Sequence, residues 1–264
     1  MKIPFAKYHG CGNDFILVKE DAVKKADLPS LIVSICDRHC GIGADGFMIA
    51  KTDPLEMIYY NQDGSRAPMC GNGIRCFSKF CLDEGIVTKE SFAIKTLAGT
   101  KVIESCGHDW FRVNMEKPLF DTRLCKIDQP IWNMKYKGLH LYTLFMSTIH
   151  TVVFVEDAFA DIESIGREIC EHEMFHEQTN VNFVQIVDDH TLKVQTYERG
   201  CGVTLACGTG VCASAYVAYK EKGCASRLHV EMKKGALDIE ILADDTLIMQ
   251  GPAEKIAKGE YYYD

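Results

Sequence analysis

Two short segments of the chain hold the residue types best suited to chemistry. One reads Met69-Cys70-Gly71-Asn72-Gly73-Ile74-Arg75-Cys76, the other Ala206-Cys207-Gly208-Thr209-Gly210-Val211-Cys212. Each cysteine is followed by glycine, a small polar residue and a second glycine, and then by an apolar run of helical character. A thiol at a helix start lies at the positive end of the helix dipole, which favours the thiolate. The first-turn N–H groups beside it form an anion site. A substrate carboxylate held at both helix starts would leave its α-carbon flanked by two sulfurs. A thiolate on one face then removes the α-proton and a thiol on the other returns one in the opposite configuration. That is racemisation or epimerisation by general acid–base catalysis. The helix ends also stabilise charge building on the carboxylate as the carbanion forms. Such chemistry requires no cofactor.

The elements that must position these segments occur twice, in the same order. Ile16-Leu17-Val18-Lys19-Glu20-Asp21-Ala22 is echoed by Val152-Val153-Phe154-Val155-Glu156-Asp157-Ala158. Each of these strands precedes a helix, expected over 28–36 and around 162–170. Strands 57–60 and 194–197 correspond, and Asn61 and Glu198 each stand nine residues ahead of their cysteine. Gly85 and Gly223 close the two motif helices, and further strands are expected over 92–97 and 110–115. Matching positions lie 134 to 138 residues apart, too long a period for a solenoid. The expectation is two similar lobes, residues 1–117 joined by a returning tail 253–264, and residues 118–252, with the cysteine motifs meeting at the lobe interface.

Composition bounds the alternatives. The 264 residues are 47% hydrophobic and 25% charged, as in globular proteins large enough for two domains. The net charge of −8 and the lack of a basic run argue against a nucleic-acid partner. No leader-like or membrane-spanning apolar stretch is present, so the expected setting is cytoplasmic, with no membrane partner. Thirteen cysteines without an export signal read as reduced thiols. Cys36, His39 and Cys40 are the nearest approach to a zinc set, but no CxxC pair occurs, and no metal is expected. Gly41-Ile42-Gly43-Ala44-Asp45-Gly46 spells GxGxxG between a helix and a strand, the reverse of the dinucleotide order, and reads as a structural turn. A cysteine-based metal or redox protein is the non-enzyme alternative. A dehydratase on the same scaffold would need only one base.

Beyond the cysteine motifs, His9-Gly10-Cys11-Gly12-Asn13-Asp14-Phe15, Asn61-Gln62-Asp63-Gly64-Ser65 and Glu198-Arg199-Gly200 complete a set spread over nearly the whole chain. In these segments the sequence resembles the diaminopimelate epimerases, amino-acid racemases and epimerases that work without pyridoxal phosphate. The resemblance implies an α/β (α+β) fold of two pseudo-symmetric lobes, each a curled, mainly antiparallel sheet around a central helix. It implies Cys70 and Cys207 as the acid/base pair, with Gly71, Asn72, Gly208 and Thr209 supplying carboxylate-binding amides. Glu198 would take the substrate ammonium. Asn13, Asn61, Asn180 and Arg199 would line the site, with Arg199 toward the distal carboxylate, where its planar fork suits the ligand. The partner is a small amino-acid substrate, and a homodimer is left open.

Four positions depart from the family pattern. Ser147-Thr148-Ile149-His150 stands where the family carries Gly-Asn-Pro-His, and Thr148, also placed in the substrate site, lacks the separate donor and acceptor of an amide. Arg66 replaces a glutamate, Cys11 a leucine and Gln62 an alanine. Intact catalytic motifs with an altered distal end lead to the expectation of a racemase for another polar amino acid, histidine first, with LL- to meso-diaminopimelate epimerisation as the alternative.

Overall fold

The structure, a computed structural model, describes residues 1–263. The chain forms two compact units, Met1–Val113 with the segment from Gly251 onward, and Asn114–Gln250.

In the first unit, β1 (Lys2–Gly10) and β2 (Asn13–Lys19) form an antiparallel hairpin. Next come α1 (Leu28–Cys36), β3 (Gly46–Thr52), β4 (Leu55–Asn61) and the short β5 (Arg66–Ala67). The long helix α2 (Gly71–Asp83) precedes β6 (Ser91–Thr96), β7 (Gly99–Ser105) and β8 (Trp110–Glu116). Strands β2 and β3 run parallel, pairing Phe15 with Gly46 through Lys19 with Ala50. Both are buried almost throughout, which explains their unbroken apolar runs. Helix α1 starts with a proline in its first turn, where no N–H is needed, and buries Leu31, Ile32, Ile35 and Cys36. These pack with Ile3, Phe5, Ile16, Val18, Phe47 and Ile49.

The second unit opens with α3 (Thr122–Cys125) and β9 (Trp132–Tyr136) and then repeats the order of the first. It continues through β10 (Leu139–Phe145), β11 (Ile149–Phe154), α4 (Glu163–Cys170), β12 (Asn180–Asp188), β13 (Thr191–Glu198) and β14 (Gly202–Thr204). Helix α5 (Gly208–Lys222) precedes β15 (Arg227–Met232), β16 (Gly235–Ile241) and β17 (Leu247–Pro252). The pairings repeat as well. β11 lies parallel to β12 as β2 does to β3, and β13 parallel to β15 as β4 does to β6. The core under α4 gathers Leu141, Val153, Ile169, Val181, Phe183 and Tyr197.

A last strand, β18 (Glu254–Tyr262), belongs to the first unit and pairs antiparallel with β1, from Lys2–Tyr262 to His9–Glu254. In each unit the motif helix is the central one. α2 buries residues on every side from Gly71 to Phe80, and α5 does so from Gly208 to Ala218. Small residues such as Ala213, Ala215 and Ala218 in α5 let the surrounding strands approach closely. Helix α2 ends in a Schellman turn: Ile86 N–H reaches Cys81 O at 2.8 Å, Gly85 N–H reaches Leu82 O at 3.1 Å, and Gly85 is left-handed at φ 65°.

The GxGxxG loop is spent on closing α1. Ile42 and Gly43 both donate to Ile35 O, at 2.9 and 3.0 Å, and Ala44 donates to Cys36 O. Its N–H groups are therefore committed to the helix end rather than to a phosphate.

Candidate active site

Cys70 is the N-cap of α2, with extended backbone (φ −135°, ψ 128°), and its sulfur accepts the Gly73 N–H at 3.4 Å. The same sulfur faces Asn13 Oδ1 at 3.6 Å. Asn13 stands at the head of β2, and its amide is oriented from both ends. Its Nδ2 donates to Asp45 Oδ2 at 2.6 Å, while its Oδ1 accepts from Asn72 Nδ2 at 3.4 Å. Asn72 is oriented in turn by Arg75, whose Nη2 donates to Asn72 Oδ1 at 2.8 Å.

Arg75 is fully buried inside α2. It also donates to Gly71 O at 3.0 Å and to Pro252 O at 3.2 Å, so one guanidinium braces the first turn of the motif helix against the chain entering β18. Asp45 belongs to an ion-pair chain in which Arg38 bridges Asp45 and Asp14 at 2.6 and 2.8 Å and Lys7 reaches Asp14 at 3.0 Å. Burial by itself would raise the Asp14 carboxyl, yet the hydrogen bonds and charges of Arg38 and Lys7 hold it below the usual carboxylate range. Asn61, at the end of β4, is held by Tyr59 Oη on its oxygen and by Ser65 Oγ on its nitrogen.

In the second unit Cys207 occupies the same place at α5. It is buried, with its sulfur 3.5 Å from Thr209 Oγ1. Behind Thr209 lies a buried polar chain. His150 Nε2 is 3.0 Å from Thr209 Oγ1, and Asn182 Nδ2 is 3.2 Å from His150 Nδ1. Asn182 also donates to Thr151 O at 3.3 Å and accepts from Thr196 Oγ1 at 3.0 Å. Burial pushes the His150 imidazole down to about 3, so it is neutral at physiological pH. Asn180 accepts the Arg199 N–H at 2.9 Å, and Glu198 accepts from Thr204 Oγ1 at 2.6 Å. The Arg199 guanidinium donates to Glu177 O at 2.7 Å and lies 3.4 Å from Thr148 Oγ1.

The sequence-predicted residues thus fall into two sets, one in each unit. Asn13, Asn61, Cys70, Gly71 and Asn72 belong to the first, and Thr148, Asn180, Glu198, Arg199, Cys207, Gly208 and Thr209 to the second. Arg75, Asp45, Asn182 and the role of His150 were not foreseen. Asn182 had a usable signal, as the lone amide in the apolar run Val181-Asn182-Phe183-Val184. Of the departures from the family pattern, Arg66 lies over the Tyr60 ring with its guanidinium carbon 5.0 Å from the centroid. Cys11 is buried beside Arg75, and burial raises its thiol against the pull of that charge.

All thirteen cysteines are thiols, and nine are buried, so most act as small apolar residues. Burial drives the Cys36 thiol up to about 12. Among the described residues no cluster of three or more His, Cys, Asp or Glu is placed to hold a metal ion. No helix among them is long and apolar enough to cross a membrane.

Comparisons with known proteins bear on the family and the fold. A family model described as diaminopimelate epimerase matches residues 5–120 and 142–256. The diaminopimelate epimerase of Alkaliphilus metalliredigens is 41% identical over 280 aligned positions, covering 99% of this chain and 98% of that protein. That of Caldanaerobacter subterraneus is 36% identical, covering 97% and 98%. A solved phenazine biosynthesis protein of the PhzF family from Bacillus anthracis covers both chains fully with a TM-score of 0.72 at 15% identity, which establishes the shared fold. The family model and these relatives make the chain an isomerase of the racemase and epimerase class that acts without pyridoxal phosphate. Within that class the chain belongs to the diaminopimelate epimerase family.

Proposed function

We propose that the protein epimerises diaminopimelate, with Cys70 and Cys207 as the acid and base of one two-base reaction. The single observation that carries this reading is the placement of the two cysteines at equivalent helix starts, where first-turn N–H groups suit a carboxylate. The substrate's reacting carboxylate lies on the amides of Gly71-Asn72 and Gly208-Thr209. One thiolate takes the α-proton: the C–H bond breaks, S–H forms, and the electron pair stays on the α-carbon and its carboxylate. The second thiol then donates its proton to the opposite face, leaving the two sulfurs with exchanged protonation. The helix ends offset the developing charge. Glu198 takes the ammonium, Asn13, Asn61 and Asn180 line the site, and Arg199 receives the distal carboxylate.

The order of substrates expected from the sequence is reversed here. Thr148 in place of the family asparagine favoured histidine. Relatives named diaminopimelate epimerase at 36–41% identity over nearly the whole chain favour diaminopimelate. Arg199 beside Thr148 keeps a cation at that end of the site, and a distal carboxylate needs a cation more than it needs an amide. Loss of one hydrogen-bond partner costs about 1–3 kcal/mol, which weakens recognition without changing its chemical class.

The test is turnover of LL-diaminopimelate in deuterium oxide, followed by mass spectrometry of the α-position. Epimerisation with deuterium uptake is expected, together with its loss in Cys70→Ser and Cys207→Ser. Deuterium uptake with L-histidine and none with LL-diaminopimelate would restore the earlier order. Full turnover in either serine variant would end the two-base reading.

A further inference from the structure

We propose that the first unit carries a second ligand site, a hollow at the C-terminal end of α2 that takes a small monocarboxylate with an apolar tail. The site is separate from the cysteine chemistry. Helix α2 has 13 residues, so at 1.5 Å per residue its ends stand roughly 20 Å apart. Cys70 caps one end, and the hollow adjoins the other.

The hollow follows from one small residue in a row across the sheet. In β1, Pro4, Ala6 and Tyr8 share a face, because side chains alternate along a strand. That face is turned to α2. The Tyr8 ring meets the Phe80 ring edge-on at 6.1 Å, and its hydroxyl donates to Asp83 Oδ2 at 2.8 Å. Ala6 comes next along that face, paired with Leu17 of β2 on one side and Lys258 of β18 on the other. A tyrosine fills the space against α2, and an alanine does not. What remains is a cavity of about 420 Å³, within the range of about 300–1,000 Å³ usual for small-molecule sites. Leu17, Val18, Ala22 and Phe80 give it apolar walls. Leu17, Val18 and Phe80 are buried in the core, so these walls are fixed before a ligand arrives.

The rim decides the charge of the occupant. Lys19, Glu84 and Lys258 stand there. Glu84 offers one oxygen to each lysine, Oε1 to Lys258 and Oε2 to Lys19, the latter at 3.2 Å. The hydrogen bond from Lys258 foremost, with that from Lys19, holds the Glu84 carboxyl below its usual range against the effect of burial. One anion is thus shared by two cations. Asp21, also at the cavity, is matched by Lys24 at 2.6 Å. Asp83, beside Glu84, is held by Lys79, Lys255 and Tyr8. The rim keeps one positive charge in excess. Each ammonium has three donors, and the side chains of Lys19 and Lys258 are 48% and 60% exposed, so both can turn a donor to a newcomer. A carboxylate head suits that pair while its tail enters the apolar cavity. A cationic head would meet two lysines and a carboxylate already engaged.

The probe is octanoate, titrated into the full-length protein labelled with 13C in its leucine and valine methyl groups and followed by NMR. Saturable shifts are expected at Leu17 and Val18. Each methylene added between butyrate and octanoate should tighten binding by up to about fourfold. Octylamine, with the same tail and the opposite charge, should bind at least about fivefold more weakly. Glu84→Gln should tighten octanoate by about fivefold, because it removes the carboxylate that competes for both lysines, and Lys19→Ala with Lys258→Ala should weaken it by a similar factor. Ala6→Leu should fill the hollow and abolish the shifts. If that variant does not fold, Glu84→Gln decides, since a merely apolar patch would not respond to it. No saturable shift up to about 10 mM octanoate, equal affinity for octylamine, or unchanged or weaker binding in Glu84→Gln overturns the proposal. Shifts centred on other methyl groups, such as those of Val113, place octanoate elsewhere and overturn it too. Turnover of amino acids plays no part in these readouts, so the site stands or falls apart from the epimerase reading.

Discussion

The third residue after the N-cap is glycine in both motif helices, and exchanging each for alanine separates two reasons for a small residue. Neither Gly73 nor Gly210 has a positive φ, so alanine meets no backbone strain and gains up to about 1 kcal/mol of helix propensity. The neighbours differ. A Cβ at Gly73 would lie 2.2 Å from Met48 Cε, the free end of a flexible thioether, and 3.2 Å from Cys70 Cβ. Met48 can change rotamer at a cost of about 1 kcal/mol, so Gly73→Ala should be close to neutral in stability. A Cβ at Gly210 would lie 2.2 Å from Asn182 Oδ1 and 3.2 Å from Thr196 Oγ1. Asn182 is fully buried and held by Thr151, His150 and Thr196. Overpacking costs about 1–3 kcal/mol, and each strained or broken buried hydrogen bond about 1 kcal/mol more. With the propensity gain subtracted, Gly210→Ala should lose about 2–3 kcal/mol. At about 2–4 °C per kcal/mol for a chain of this size, thermal unfolding should fall by about 5–10 °C for Gly210→Ala and by less than about 2 °C for Gly73→Ala. Equal shifts in the two variants would refute the idea that a locked amide dictates Gly210.

Arg75→Met should destabilise the first unit by about 3 kcal/mol, because Gly71 O and Pro252 O lose a buried donor, and denaturant titration reads this directly. Thr148→Asn should raise kcat/KM for diaminopimelate by about tenfold with little change in stability, and a fall would show that Arg199 is better placed by threonine. His150 carries a pH signature. Its imidazole falls from 6.5 in the unfolded chain to about 3 when folded, so the unfolded state binds the extra proton between those values. Its contribution is complete above about pH 6.5 and drains away as pH falls toward 3, by up to about 1.4 kcal/mol per pH unit. Urea midpoints of His150→Gln should therefore decline less steeply than those of the unaltered protein over that window.

The repeat was legible because it is written in pattern rather than in identity. Buried parallel strands such as Phe15-Ile16-Leu17-Val18 and Val152-Val153-Phe154 carry unbroken apolar runs, and a helix with Pro29 in its first turn, running over Leu28–Cys36, has clear limits. Strands with alternating exposure were harder to see. β1 holds Pro4, Lys7 and His9, and β18 is exposed over most of its length, so register with a distant strand fixes them rather than local composition. The cysteines and their glycine turns were readable because helix-start chemistry is local. The groups that orient them were not. Arg75 looks like an ordinary helical cation in sequence, and only the fold shows it fully buried among carbonyls. His150 and Asn182 lie on neighbouring parallel strands, 32 residues apart, a separation no spacing rule anticipates.

The pairing of β18 with β1 bears on the order in which the chain can mature. During synthesis β1 precedes the second unit, and the strand that covers its edge is made only after the whole second unit has been translated. The second unit is continuous in sequence and can close as soon as it is complete. The first must hold an apolar hairpin with an open edge until the last strand arrives, which is the interval in which strand edges aggregate. Lys2, Lys7 and Pro4 on that edge strand suit the wait. They disfavour pairing with a stranger, while the Lys2–Glu260 ion pair greets the strand that belongs there.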